Sequence, residues 1–291
     1  MNRTVLAYNN PNASGRRRKG LAEPRAVLPE RVKPGHRLAT INPMPRYEFR
    51  MPRLFVDAPL TAGADVTLDR SQANYLLSVL RLRRGDSVLV FNGREGEWRG
   101  SLSGAGKRAA VIRVETCLRP QPRPGDLHFL FAPLKHARLD YLVQKAVEMG
   151  ASHLQPVMTR HTHVARVNLD RMRANAIEAA EQCGILHVPT VGTAVGLEAA
   201  VSADRLLIFC DESAEVANPV NALAAVRRRQ SPISVLIGPE GGFADEERSM
   251  LAKLPNVVPI ALGPRILRAD TAAVAALALV QAVLGDWSDT K

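Results

Sequence analysis

The chain is short of cysteine, of long apolar runs and of acidic groups. Its three cysteines, Cys117, Cys183 and Cys210, are scattered over 291 residues. They form no disulfide framework and no Cys-x-x-Cys metal motif, which fits a reducing, cytoplasmic compartment. The longest apolar stretch, Ala272–Leu284, is interrupted by Gln281. It falls well short of the ~20 residues that span a bilayer and predicts a buried, Ala-rich helix, so no membrane partner is expected. The N-terminus has no apolar segment of the secretory kind. It is Arg-rich like a mitochondrial presequence, but a single serine, Ser14, and its many prolines argue against an amphipathic helix.

What is present is a globular composition, 46% apolar, with 39 basic against 28 acidic residues and a net charge of +11. That excludes a chain disordered throughout, a collagen and a coiled coil. The length predicts two domains. An excess of positive charge points to a polyanion, nucleic acid first. The excess is unevenly placed. Residues 1–52 hold 11 basic and 3 acidic groups, residues 53–119 hold 11 and 7, and residues 120–291 hold 17 and 18.

Residues 1–52 have no hydrophobic period, an Arg16-Arg17-Arg18-Lys19 run and prolines at 11, 24, 29, 34, 43 and 45. They read as a disordered basic tail, either an RNA-binding arm or a stretch upstream of a true start at Met44 or Met51. Order begins at Arg53. A helix is expected over Ser71–Arg81 with Ser71 as cap, then short strands at Ser87–Phe91, Glu97–Leu102 and Ala109–Glu115 with Asn92-Gly93 and Ser103-Gly104 turns. Residues 53–119 thus read as a small β-barrel or rolled sheet, and 120–125 as a proline-rich linker. From residue 126 to 291 strands and helices alternate. Strands are expected at Leu127–Ala132, His153–Val157, Arg205–Cys210, Ser234–Ile237 and Val257–Leu262. Helices are expected at Ala137–Met149, Asn168–Cys183, from Asn218-Pro219, at Asp245–Leu254 and at Ala269–Leu284. That alternation predicts a parallel sheet covered on both faces.

Two strand-to-helix loops stand out. Leu236-Ile237-Gly238-Pro239-Glu240-Gly241-Gly242-Phe243 and Leu262-Gly263-Pro264-Arg265-Ile266-Leu267-Arg268 both run from a β-branched strand through glycine into a helix. Glycine lets backbone approach a ligand closely, and ligands in open α/β sheets bind beyond strand carboxyl ends. Neither loop is a dinucleotide or P-loop fingerprint, and each alone is compatible with an ordinary turn. Lys145 and Glu148 sit one helical turn apart, as a surface ion pair would. His161-Thr162-His163 lacks a carboxylate or cysteine at ligand spacing, so no metal is expected. Cys183, near a helix C-terminus, has no partner base and reads as structural.

Taken in order, these stretches identify a family. Met51-Pro52-Arg53-Leu54-Phe55-Val56, Asn74 through Leu80-Arg81, Gln144-Lys145 through Glu148-Met149-Gly150, Glu181-Gln182-Cys183-Gly184 and the two glycine loops resemble the RsmE-type 16S ribosomal RNA (uracil-N3) methyltransferases of the SPOUT superfamily, from about Pro52 to Leu284. The resemblance implies a PUA-like RNA-binding barrel over 53–119 and a SPOUT-type α/β domain over 126–291 with a C-terminal trefoil knot. It also implies a homodimer, a cytoplasmic location, S-adenosyl-L-methionine as cofactor, and 16S rRNA or the small ribosomal subunit as partner. The family's cofactor loops map onto Leu207, Phe209, Ile237, Gly238, Glu240, Gly241, Gly242, Leu262, Gly263, Arg265, Ile266 and Leu267. The chain departs from the family pattern at Asn74 (often His), at His161 (commonly Arg), at Ile185 and His187 (often Arg) and at Asp270 (usually Glu).

Uridine N3 carries a proton and is a poor nucleophile, so the reaction asks for proton removal or for stabilisation of the uridine anion. Arg268 is the candidate for the electrostatic role and Glu240 for proton acceptance or cofactor positioning. Asp270 and Thr271 would orient Arg268 and cap the helix. Arg81, Arg83, Arg84, Arg94 and Arg99 are candidates for gripping RNA phosphate, with Lys135 and His161. A non-catalytic RNA-binding or ribosome-assembly protein with this fold, or a methyltransferase for another RNA site, are the competing readings.

Overall fold

The computed structural model describes residues 51–105, 110–135, 137–215, 218–227 and 232–287. The expected disorder of the basic tail lies outside the described residues, apart from Met51 and Pro52.

The first strands are β1 (Arg53–Phe55) and β2 (Asp65–Thr67). Helix α1 (Arg70–Asn74) follows and widens into a π-helical turn, Tyr75–Val79. The helix starts one residue before the expected cap. Asp69, not Ser71, caps it: its carboxylate accepts from Gln72 N at 2.8 Å while Gln72 Oε1 accepts from Asp69 N at 3.2 Å. A carboxylate capping in this two-way manner satisfies two orphan donors at once, and the Ser71 hydroxyl donates to it instead. Past the π turn, Arg81 takes φ +58, a left-handed conformation uncommon outside glycine.

Strands β3 (Ser87–Phe91), β4 (Glu97–Ala105) and β5 (Ala110–Arg119) complete a five-stranded sheet in the order β1-β3-β4-β5-β2. β1 runs parallel to β3 and the other pairs are antiparallel. Three register shifts between β4 and β5 bend the sheet, as bulges do. It curls around Leu76, Val88, Val90, Leu102 and Ile112.

The remainder is β6 (Leu127–Phe131), α2 (Ala137–Glu148), β7 (His153–Met158), α3 (Leu169–Gln182), β8 (Thr190–Val191), β9 (Val195–Gly196), α4 (Leu197–Ala200), β10 (Leu206–Cys210), α5 (Pro219–Val226), β11 (Ile233–Ile237), α6 (Asp245–Ala252), β12 (Val257–Ile260) and α7 (Ala269–Val283). The strands pair in parallel in the order β12-β10-β11-β6-β7-β8, with β9 on β7. Successive side chains point to opposite faces. Phe129, Phe131, Ile208, Val235 and Ile237 therefore pack toward α2, α3, α5 and α7, whereas Leu130, Leu207, Phe209 and Leu236 pack toward α4 and α6. Both faces are covered, which is why these strands read as continuous apolar runs. β8, β9 and α4 were not anticipated; two to four residues carry no period.

Gln281, which breaks the apolar run of α7, is buried. Its amide donates to Met149 O at 2.7 Å and its carbonyl accepts from Asp286 N at 3.2 Å. Gly150, at φ +82, passes so close that a Cβ would stand 2.6 Å from Gln281 Nε2. The polar residue thus anchors the end of α2 to α7.

The curled five-stranded sheet is not tethered by the linker alone. Phe91 of β3 belongs to the same core cluster as Phe129 and Leu154. Arg53 lies over its ring, 3.7 Å from the centroid. Arg53 donates to Glu97 at 2.5 Å and to the carbonyls of Ala180 and Ile185, and Glu97 also accepts from Arg119. Burial raises the Glu97 pKa, but the bonds from Arg119 and Arg53 outweigh it and the net shift is downward. Glu181, pushed upward by burial, accepts from Phe55 N. The Glu181-Gln182-Cys183-Gly184 stretch is therefore a clasp between the two halves of the molecule.

Candidate active site

Strand order creates the site. Because β12, β10 and β11 are adjacent and parallel, the loops leaving their C-terminal ends stand side by side. Between them lies a cavity of about 400 Å³, within the ~300–1,000 Å³ range of small-molecule sites. Its walls are Cys210, Asp211 and Glu212 after β10, residues 237–243 at the end of β11 and beyond, and Ile260, Leu262, Gly263 and residues 265–269 from β12 onward, with Ala272 of α7.

Of the residues expected here, Ile237, Gly238, Glu240, Gly241, Gly242, Leu262, Gly263, Arg265, Ile266, Leu267 and Arg268 all line the cavity. Leu207 and Phe209 do not line it; they are buried against Leu236 and Phe243 on one face of the sheet. The wall from β10 is instead Cys210, Asp211 and Glu212, which the sequence reading passed over. The rule that ligands sit beyond strand carboxyl ends, applied to β10 as it was to β11, would have found them.

The glycine loop is held from several sides. A Cβ on Gly238 would stand 2.5 Å from the Phe243 ring, and Gly242 takes φ +67 with Glu212 close by. Both positions therefore require glycine. His161 Nδ1 donates to the carbonyls of Gly241 and Gly242, at 3.1 and 3.2 Å. This histidine, expected at the RNA, supports the loop. Glu247 accepts from Ala244 N at 2.9 Å and from Arg160 N at 2.8 Å, fastening the start of α6 to the loop after β7.

Electrostatically the cavity is mixed. Buried Asp211 pairs with Arg248 at 3.1 Å, and Glu212 pairs with the same guanidinium at 2.9 Å. Burial pushes the Cys210 thiol up to about 12, so it stays neutral and is no nucleophile. Arg268 is 67% exposed, with Nε 3.7 Å from Oδ1 of buried Asp270. Glu240 accepts from Arg138 at 3.4 Å and also borders a second cavity, lined by Pro133, Lys135, Arg138, His163 and Val164.

The sequence pattern of an RNA methyltransferase domain matches residues 121–281, and that of an RNA methyltransferase PUA domain matches residues 68–115. The chain belongs to the RNA methyltransferase domain family. Two proteins named ribosomal RNA small subunit methyltransferase E are similar to it. That of Rickettsia conorii is 29% identical over 79% of this chain and 94% of its own length. That of Synechocystis is 31% identical over 80% of this chain and 78% of its own. The crystal structure of a ribosomal RNA small subunit methyltransferase E from Neisseria gonorrhoeae, bound to S-adenosyl methionine, superposes with a TM-score of 0.72 at 27% identity, covering 81% of this chain and 99% of that one.

In this methyltransferase the basic candidates of the barrel divide into two sets. Arg94 faces Asp57 at 3.4 Å and Arg99 faces Glu115 at 3.6 Å, exposed pairs of small energetic consequence. Arg81, Arg83 and Arg84 are exposed and have no carboxylate side chain paired to their guanidinium groups among the described residues. Lys145 and Glu148 form the expected one-turn pair at 2.7 Å. His153 lies against His128, with ring centroids 4.7 Å apart, and bonds Thr190. Among the described residues no group of three or more His, Cys, Asp or Glu side chains is placed to hold a metal, and no helix is long and apolar enough to cross a membrane.

Proposed function

We propose that the chain is an S-adenosylmethionine-dependent methyltransferase acting on N3 of a uridine in small-subunit ribosomal RNA. The observation that carries this reading is the single cavity formed by the two glycine loops inside the family-matched segment. It is supported by the related Neisseria gonorrhoeae structure, which binds S-adenosyl methionine and matches over almost its whole length.

The residues present suit that cofactor. Ile237, Ile260, Leu262 and Leu267 offer an apolar slot for an adenine ring, and the glycine loops bring backbone donors and acceptors to its edge. Asp211 and Glu212 share the one Arg248 guanidinium, which leaves excess negative charge on the wall after β10, complementary to a sulfonium and an ammonium group. When bound, the cofactor supplies an activated methyl on sulfur. The protein's task is then positioning and charge stabilisation.

Arg268 stands at the cavity wall with Asp270 behind it. A guanidinium there stabilises negative charge developing on O2 or O4 of the uracil as the N3 proton leaves. Glu240, on the opposite loop, takes that proton or holds the cofactor. N3 lies on the pairing edge, so the target base enters unpaired or flipped. The trefoil knot and the homodimer belong to the same proposal. Ile266, 94% exposed at the cavity rim, and exposed Trp287 are apolar groups that a second copy would cover.

The test is nucleoside mass spectrometry of small-subunit RNA from a deletion strain, with isothermal titration of the purified protein against S-adenosylmethionine. Loss of 3-methyluridine together with cofactor binding supports the reading. An unchanged nucleoside profile overturns the enzymatic function, and absence of binding overturns the cofactor assignment.

A further inference from the structure

The second cavity, of about 420 Å³, adjoins the first at Glu240. It is built by the loop after β6 (Pro133, Lys135), the first turn of α2 (Arg138) and the loop after β7 (His163, Val164). Since β6 and β7 continue the sheet beyond β11, both cavities open on the same edge of the sheet.

Its charges do not balance internally. Among the described residues Glu240 is the only carboxylate lining it, and that group is engaged by Arg138 at 3.4 Å. No hydrogen bond or ion pair engages the side chain of Lys135 or of His163 among the described residues; Lys135 is held through its backbone carbonyl, which accepts from Arg138 N at 3.2 Å. The net field in the cavity is therefore positive and suits an anion, while Pro133 and Val164 give it an apolar floor. The walls are held in place. Thr162 Oγ1 accepts from Thr159 N at 3.0 Å, Arg160 N donates to Glu247, and His161 donates to Gly241 and Gly242. The loop carrying His163 is thereby fastened to the same glycine loop that walls the first cavity.

We propose that this basic cavity holds a backbone phosphodiester of the substrate RNA, next to the nucleotide whose base enters the methyl-donor cavity. Lys135 is the principal cation and His163 a second hydrogen-bond donor. The inference rests on the RNA methyltransferase reading above and adds to it the place where the strand is gripped beside the reacting base. A phosphate held by Lys135 fixes register without reading sequence.

The experiment uses the full chain, labelled S-adenosylmethionine and small ribosomal subunits from cells lacking the gene. Methyl transfer is measured over a range of salt concentrations for the wild type, Lys135→Ala, Lys135→Arg and His163→Ala. Lys135→Ala is expected to raise KM for the subunit about tenfold with kcat within about twofold. It should also make the slope of log(kcat/KM) against log[salt] shallower by about 0.7, one single-strand phosphate contact. His163→Ala should raise KM by a smaller factor, and Lys135→Arg should restore both KM and slope. A merely structural role for Lys135 would not change the salt slope. If the wild type transfers methyl groups but the alanine variants match it in KM and slope, the phosphate site is wrong. If Lys135→Ala instead loses affinity for S-adenosylmethionine by titration, the cavity serves the cofactor and the inference is also overturned. A wild type that neither binds cofactor nor methylates the subunit overturns the parent reading instead.

Discussion

Replacing Gly238 by alanine tests whether the glycine loop is shaped by its own packing. The added Cβ would lie 2.5 Å from Phe243 Cε2 and 3.0 Å from Cδ2 and Cζ. Carbon contacts settle near ~3.5–4.0 Å, so the ring or the loop must retreat by about 1 Å. The ring has little room. Phe243 is 2% exposed and packs edge-on against Phe209, with centroids 4.8 Å apart. Forcing an extra methyl into a packed core costs about 1–3 kcal/mol. For a protein of this size that lowers Tm by roughly 2–4 °C per kcal/mol. If the loop yields instead, the cavity wall moves and affinity for S-adenosylmethionine falls by about tenfold. Thermal melts and isothermal titration read the two outcomes separately. Phe243→Leu in the same chain should relieve part of the clash, giving a coupling of at least ~0.5 kcal/mol in the double-mutant cycle. A Gly238→Ala protein that melts and binds cofactor as the wild type does, or strict additivity with Phe243→Leu, would refute this reasoning.

Three further outcomes are expected. Arg268→Ala should lower kcat by about 10²–10³, the usual loss when one charge-stabilising donor goes, while cofactor affinity by titration changes less than twofold; unchanged turnover removes Arg268 from the chemistry. Glu97→Ala removes the buried carboxylate that accepts from both Arg53 and Arg119 and should destabilise by about 3–5 kcal/mol. In urea unfolding, a loss below ~1 kcal/mol would show that the remaining contacts of the two arginines make up for the lost carboxylate. The His128 pKa is lowered to about 4 by burial first, then by Arg205 and His153. Between the ordinary histidine value of ~6.5 and 4 the unfolded chain binds a proton that the folded one does not, so stability falls as pH falls through that window. His128→Gln should flatten the pH dependence of Tm there, and an unaltered slope would count against the burial argument.

Much of the architecture was legible because its signals are local. Ser87–Phe91 and Leu206–Cys210 declare strands by their β-branched and apolar runs, and Asn218-Pro219 starts α5 where Asn218 Oδ1 accepts from Val220 N at 2.9 Å. The first helix was misjudged at its start because Ser71 and Asp69 are both good caps. Only the three-dimensional placement of Gln72 decides between them. Leu207 and Phe209 were expected at the cofactor because the family resemblance maps a cofactor loop onto them. The side-chain period of two and the packing of Phe243 turn them into core instead.

The sequence by itself marked a β-rich stretch followed by one of alternating strands and helices, and it marked both glycine loops, since glycine and proline act on the backbone wherever they occur. That the loops after β10, β11 and β12 face one another follows from the strand order β12-β10-β11, a long-range pairing that no local pattern encodes. The wall of Asp211 and Glu212 and the basic cavity of Lys135 and His163 come from that order and its continuation through β6 and β7. The buried Arg53–Glu97 contact likewise joins residues 44 positions apart. Such sites consist of side chains brought together from distant segments, and only the packing of the sheet decides which of them meet.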